Sequence, residues 1–161
     1  MEPILLSLIP NFTNRLISKT VDTKEKSKAL QSLIKVVLVE CRINLKILDI
    51  AKHKKIEKSE SFILLSHLSN DASKTIFSFV NDSIIKSSLN KISNIKIKDD
   101  GIENDIGLVS IISKIELLKI LATDLDKLSK DRIVKITLII SKLHKQLSEF
   151  VTELNKEVSN Y

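Results

Sequence analysis

At 161 residues, 43% of them hydrophobic, the chain fits one domain (1–161) that can bury a core without disulfides or metal, since a domain of this size hides about 70% of its unfolded surface. Two Gly and two Pro leave little from which to build tight hairpins, which excludes a turn-rich β-fold and favours long helices. The net charge of +6 is uneven, with 17 Lys and Arg against 9 Asp and Glu in residues 1–98, and 9 against 11 thereafter.

The N-terminal stretch MEPILLSLIP carries Glu2 where a leader would be basic, and no small-residue cleavage site follows. It reads as the start of a first helix over 3–19, with Pro3 in the opening turn and Leu5, Leu8, Ile9, Phe12 and Leu16 at helical spacing. Pro10 predicts a kink or an early end. Arg15 and Lys19 flank the apolar face, so this amphipath could lie on a membrane surface, although packing on a bundle explains the same face. No apolar run reaches the roughly 18–20 uncharged residues of a membrane span.

Asp22 followed by Glu25 is close to a capping box and opens a second helix, about 23–55, of roughly nine turns. Ser59 and Ser61 are candidate caps for a third helix carrying Phe62, Leu65, Leu68, Ala72, Ile76, Phe79 and Val80. Ser69-Asn70-Asp71 either breaks that helix or is passed through on the way to Ile92. Residues 93–107 hold both glycines and a cluster of acids, and read as the one substantial loop. A fourth helix, Leu108 to Lys130, puts Ile111, Ile115, Leu118, Ala122 and Leu125 on one side. After a turn near SKDR, a fifth carries Ile136, Ile140, Leu143, Leu147, Phe150, Val151, Leu154 and Val158, with Lys142, Lys145, Glu149, Glu153 and Lys156 opposite. The pattern predicts an all-α fold: an antiparallel bundle of about five helices around one long central helix.

The stretch KVVLVECRINLKILDI, Lys35 to Ile50, sets polar residues inside that central helix. Stepping at 100° per residue gathers Gln31, Lys35, Arg42, Lys46 and Asp49 into a narrow solvent sector. The remaining arc is apolar over roughly two-thirds of the circumference, wider than a surface helix needs. Glu40 and Asn44 lie near its centre, four residues apart and able to touch. A buried carboxylate costs several kcal/mol unless it is paired, hydrogen-bonded or protonated. Lys114 on the fourth helix and Arg132 on the fifth are the internal candidates to partner Glu40. Three readings compete: a buried polar network that fixes helix register, an interface covering Glu40 and Asn44, or a site. A carboxylate site needs a second acid or a His converging on it, and the paired Glu-x-x-His of di-iron bundles is absent.

Other chemistry is sparse. His53, His67 and His144 stand apart from each other and from ligand-type neighbours on their own helix faces, and no zinc spacing exists. Cys41 points to the apolar side; as the single cysteine it fits a reducing compartment, so the cytoplasm is the expected location. Phosphate-loop, nucleophile-elbow and metalloprotease motifs are missing, and DDGIEND lacks the alternation of a calcium loop. The sequence therefore predicts no enzyme, cofactor or metal. Lys52, Lys54, Lys55 and Lys58, with Lys24, Lys26 and Lys28, could meet nucleic-acid phosphates. Three Arg, one Tyr and no Trp provide little for reading or stacking on bases, however. A chain rich in Ile, Lys and Asn is also what an AT-rich genome encodes, so basicity alone does not specify an anionic partner. The function expected is non-catalytic binding of a protein partner or of a second copy. An accessory role on nucleic-acid backbone, or peripheral membrane contact through the first helix, are the alternatives.

Overall fold

Pro3 starts α1 (Pro3–Ile17), and the helix runs on through Pro10 without ending there. This was determined from a computed structural model that describes residues 3–18, 20, 22–53, 59–78, 92, 95, 97–99, 102–104, 107–123 and 129–159. Asp22 caps α2 (Thr23–His53) as its sequence position requires: the Glu25 amide donates to Asp22 Oδ1 at 2.7 Å and the Lys26 amide to its carbonyl at 3.0 Å. The expected third helix is two helices, α3 (Ser59–Ser66) and α4 (Asp71–Ser78). Tight turns from His67 to Leu64 and from Leu68 to Leu65 end the first of them.

Part of the expected loop forms a short antiparallel hairpin, β1 (Ile97–Asp99) with β2 (Ile102–Asn104), in which Lys98 faces Glu103. The two residues between the strands, 100 and 101, lie outside the described residues. The last two helices are α5 (Gly107–Thr123) and α6 (Lys130–Ser159). Ser129 caps α6, receiving the Arg132 amide on its hydroxyl at 3.3 Å.

Cross-helix pairs give the directions. Along α2 and α6, Gln31 and Ile34 share a small cleft with Val158, Arg42 meets Asn155, and Asp49 meets His144. As one number rises the other falls, so the two long helices are antiparallel. On α5 and α6, Lys114 meets Gln146 while Leu121 lies beside Ile139, the same relation. The fold is thus the expected all-α antiparallel bundle with a long central helix. Its buried apolar residues form one cluster drawing on each of the helices described above, and Leu33, Val37, Leu48 and Ala51 of α2 are fully buried in it. Each fully buried aliphatic side chain contributes about 1.5–3 kcal/mol, which is what holds the long helices in place. Among the described residues no helix is long and apolar enough to cross a membrane.

Candidate functional site

Glu40 and Asn44 project from α2 into the bundle with only 1% of their surface exposed. What they meet is the break between α3 and α4. The Lys74 amide donates to the Asn70 carbonyl at 2.9 Å, so Asn70 is the residue that opens α4. The first amides of any helix have no acceptor within it, and here that end is buried. Glu40 supplies the acceptors. Its Oε1 receives the Ala72 amide at 3.0 Å and lies 3.1 Å from the Ser69 hydroxyl. Its Oε2 receives the Ser73 amide at 3.0 Å and the Ser73 hydroxyl at 2.6 Å. The Ala72 and Ser73 amides are the pair that a capping side chain normally takes, so a residue on another helix occupies the capping position.

The residues around the break are arranged to suit. Asn70, released from capping, turns the other way and donates through Nδ2 to Glu116 Oε1 on α5 at 2.9 Å, an oxygen that Lys74 also reaches at 2.7 Å. Asn44 closes a two-bond ring with the Ser69 peptide: its Nδ2 donates to the Ser69 carbonyl at 2.6 Å, and the Ser69 amide donates to its Oδ1 at 3.0 Å. The Ser69 hydroxyl stands between Glu40 Oε1 and Asp71 Oδ2, 3.0 Å from the latter, with one proton to give.

The electrostatics follow from burial and donors. Burial pushes the Glu40 carboxyl above its usual value of 4.5; hydrogen bonds from the Ser73 hydroxyl, the Ala72 and Ser73 amides and the Ser69 hydroxyl pull it part of the way back. Glu116 is held below the usual carboxylate value, chiefly by the Lys74 hydrogen bond and then by Asn70. Burial also pushes the Cys41 thiol far up, with the neighbouring Glu40 charge adding to the effect. A carboxylate offers about four lone-pair sites. Three donors are committed to Glu40 and the Ser69 hydroxyl is shared with Asp71, so most of the carboxylate's acceptor capacity is taken up by the fold. Among the described residues, no group of three or more His, Cys, Asp or Glu could hold a metal ion.

The two cations expected beside Glu40 are elsewhere. Lys114 donates to Gln146 Oε1 at 2.7 Å and to Ser110 Oγ at 3.0 Å, bridging α5 to the buried Gln146 of α6. Arg132 lies in the first turn of α6. Neither is among the donors to Glu40, because helix-end amides already provide a partial positive charge there. What the sequence reading missed is the acceptor's true partner, the segment Ser69 to Ser73. The signal was present: Ser-Asn-Asp is a run of capping residues opposite an unpaired acid. Arg42 is exposed, as its sector requires, and donates to Asn155 Oδ1 at 2.8 Å; His144 Nε2 lies 2.7 Å from Asp49 Oδ1. Of the lysine patch, Lys52 is exposed in the last turn of α2, while Lys54, Lys55 and Lys58 lie outside the described residues.

A different surface stands out on α5. Its sequence, GLVSIISKIELLKILAT, is apolar on nearly every side. Leu108, Ile111, Ile115, Leu118 and Ala122 are buried, yet Leu117 and Ile120 on the outer side remain 43% and 63% exposed. On α6, Val134 and Leu138 are 59% and 53% exposed. Where the two helices meet, an open groove of about 380 Å³ is lined by Leu117, Leu121, Lys135, Leu138, Ile139 and Lys142. Most of the wide apolar arc of α2, by contrast, is covered by the chain's own helices, with Ile50 left 44% exposed near its end. No protein-family model matches this chain, and neither a curated protein nor a solved structure matches it.

Proposed function

We propose that the chain is a non-catalytic helical-bundle protein that binds a protein partner, or a second copy of itself, through the outer face of α5 and α6. One observation carries this reading: Leu117 and Leu138, 43% and 53% exposed, line an open groove between two adjacent helices. Single exposed aliphatics need no explanation, but exposed aliphatics that line a groove together mark an interaction surface. The engagement of Glu40 with the start of α4 supports a binding role over catalysis, since this buried acid of the central helix serves the fold. The face of α1 that a membrane would take up is turned to the core, with Ile9 and Leu16 buried and Phe12 packed against them.

Affinity capture from the native cell with the full chain, run beside Leu117→Gln/Leu138→Gln, tests this reading. Gln keeps helix propensity while removing the apolar contact. A stoichiometric protein band, or a shift to a dimer in light scattering, should disappear in the double variant. Identical bands and identical mass for both proteins would remove the proposal.

A further inference from the structure

The corner between α3 and α4 sets one hydroxyl between two carboxyls. Ser69 Oγ stands 3.1 Å from Glu40 Oε1 and 3.0 Å from Asp71 Oδ2, both at hydrogen-bond length. With both acids ionised, the hydroxyl has one proton for two acceptors, and the second contact sets oxygen lone pairs against each other. One further proton completes the set. Taken from solvent onto Glu40 Oε1, it is donated to Ser69 Oγ, and the Ser69 proton is donated to Asp71 Oδ2. The pair of acids then carries one negative charge in place of two. We propose that Glu40, Ser69 and Asp71 form a proton-operated clasp, in which uptake of this one proton tightens the α3–α4 corner and its loss loosens α4 from the bundle.

The surroundings favour the protonated form. What acts on the Glu40 carboxyl is burial first, then the donors of Ser73, Ala72 and Ser69, with no cation among them. The charged groups of the neighbouring elements are turned to other tasks. Lys74 of α4 and Glu116 of α5 pair at 2.7 Å, Lys114 of α5 bonds Ser110 and Gln146, and His144 of α6 meets Asp49. Arg15 of α1 and His67 at the end of α3 are exposed, and the Cys41 thiol beside Glu40 is pushed far up by burial and keeps its proton. The folded corner therefore binds the proton more strongly than the opened chain. Tightening is complete below about 4.5 and is lost as pH rises through the folded value. The helix it holds depends on it, because eight residues are too few for α4 to persist alone, and Ala72 and Ile76 stay in the core only while α4 is docked.

The test uses the full chain, isotope-labelled, with the Glu40 carboxyl carbon followed by NMR against pH and amide exchange read in parallel. Asp71→Asn removes the competing anion at constant size, so Ser69 gives its proton to Glu40 alone. Glu40 should then hold its own proton about fivefold less tightly, the net worth of one hydrogen bond, and its midpoint should move to lower pH. With Ser69→Ala already in place, the same Asp71 change should displace the midpoint by less than half as much. In the parent, protection of the Ala72 and Ser73 amides, measured against Leu33 and Val37 of α2, should fall as pH rises through the Glu40 midpoint. In Glu40→Gln it should not change with pH. If Ser69→Ala does not fold, salt decides: a hydrogen-bonded link survives about 1 M salt, whereas a through-space effect of the exposed Asp71 is screened away. No displacement on Asp71→Asn, an equal displacement with and without Ser69, or one abolished by salt overturns the shared proton. Protection of Ala72 and Ser73 that stays flat or rises through the Glu40 midpoint overturns the clasp.

Discussion

Glu40→Ala removes the side chain that accepts the Ala72 and Ser73 amides at the buried start of α4. Two buried amides, those of Ala72 and Ser73, lose their acceptor together with the Ser73 hydroxyl. Each buried donor left without a partner costs about 1–3 kcal/mol, although the hydroxyl can rotate to another acceptor. Against this, the variant no longer has to desolvate a carboxylate, which returns part of the loss. The balance is a destabilisation of about 3 kcal/mol. A chain of this length shifts by roughly 2–4 °C per kcal/mol, so the melting temperature should fall by about 6–12 °C. Arg42→Ala, two residues on and on the exposed side of the same helix, gives up one hydrogen bond to Asn155 and should stay within about 0.5 kcal/mol of the parent. Glu40→Gln keeps the shape but sets an NH2 group against the Ser73 amide, and should fall between the two. Urea titrations followed by helical circular dichroism measure all three. Hydrogen exchange adds the location, because Ala72 and Ser73 amides should lose protection ahead of the α2 core. Small and equal effects of Glu40→Ala and Arg42→Ala would refute the assignment of Glu40 as the cap.

Asn44→Ala leaves both the Ser69 amide and carbonyl without their partner and should cost about 1–3 kcal/mol in the same urea titration. The pH dependence of Glu40 has a definite sign. Its folded value lies above 4.5, so the folded protein holds the proton more strongly, and stability drawn from this group falls as pH rises from about 4.5 through the folded value. The stability advantage of the parent over Glu40→Gln should therefore shrink with rising pH, and a growing advantage would contradict the shift. Glu116 acts oppositely: its lowered value contributes stability above 4.5 that is lost as pH falls, so Glu116→Gln should flatten the acid limb of the stability profile. Cys41, buried and with its thiol pushed up, should react with a disulfide reagent only as fast as the protein opens, and rapid labelling of the native state would show that α2 is not packed as described. Leu117→Gln/Leu138→Gln should cost no more than about 1–2 kcal/mol by thermal melting, because both side chains already stand partly in solvent.

The bundle was legible because its signals are local. Helical spacing of apolar residues, the Asp22 cap and the near absence of Gly and Pro each act within a few residues. The same wheel that put Arg42 in solvent put Glu40 and Asn44 inside, and both placements hold. Their partners were not legible, because a carboxylate's need can be met by a cation or by amides, and nothing on α2 distinguishes the two. A pairing of Lys114 or Arg132 with Glu40 depends on which faces meet across forty or more residues of chain, and wheel positions do not contain that information. The α3–α4 break was ambiguous for the same reason, since Ser69-Asn70-Asp71 is stabilised as a break by side chains from a different helix. The outer side of α5 was readable and was passed over. An apolar face of Ile111, Ile115, Leu118, Ala122 and Leu125 leaves Leu117 and Ile120 over, although a helix apolar on nearly every side has to be covered on most of them or meet a partner.

The most direct test of the functional account is a photo-crosslinking amino acid placed at Leu138 in the native cell, with Thr152, an exposed residue further along α6, as the control position. The account predicts one discrete adduct from position 138 and none from 152, with the adduct's mass identifying a partner or a second copy. No adduct at 138, or the same diffuse products from both positions, would contradict the assignment of the α5–α6 face as the working surface of this protein.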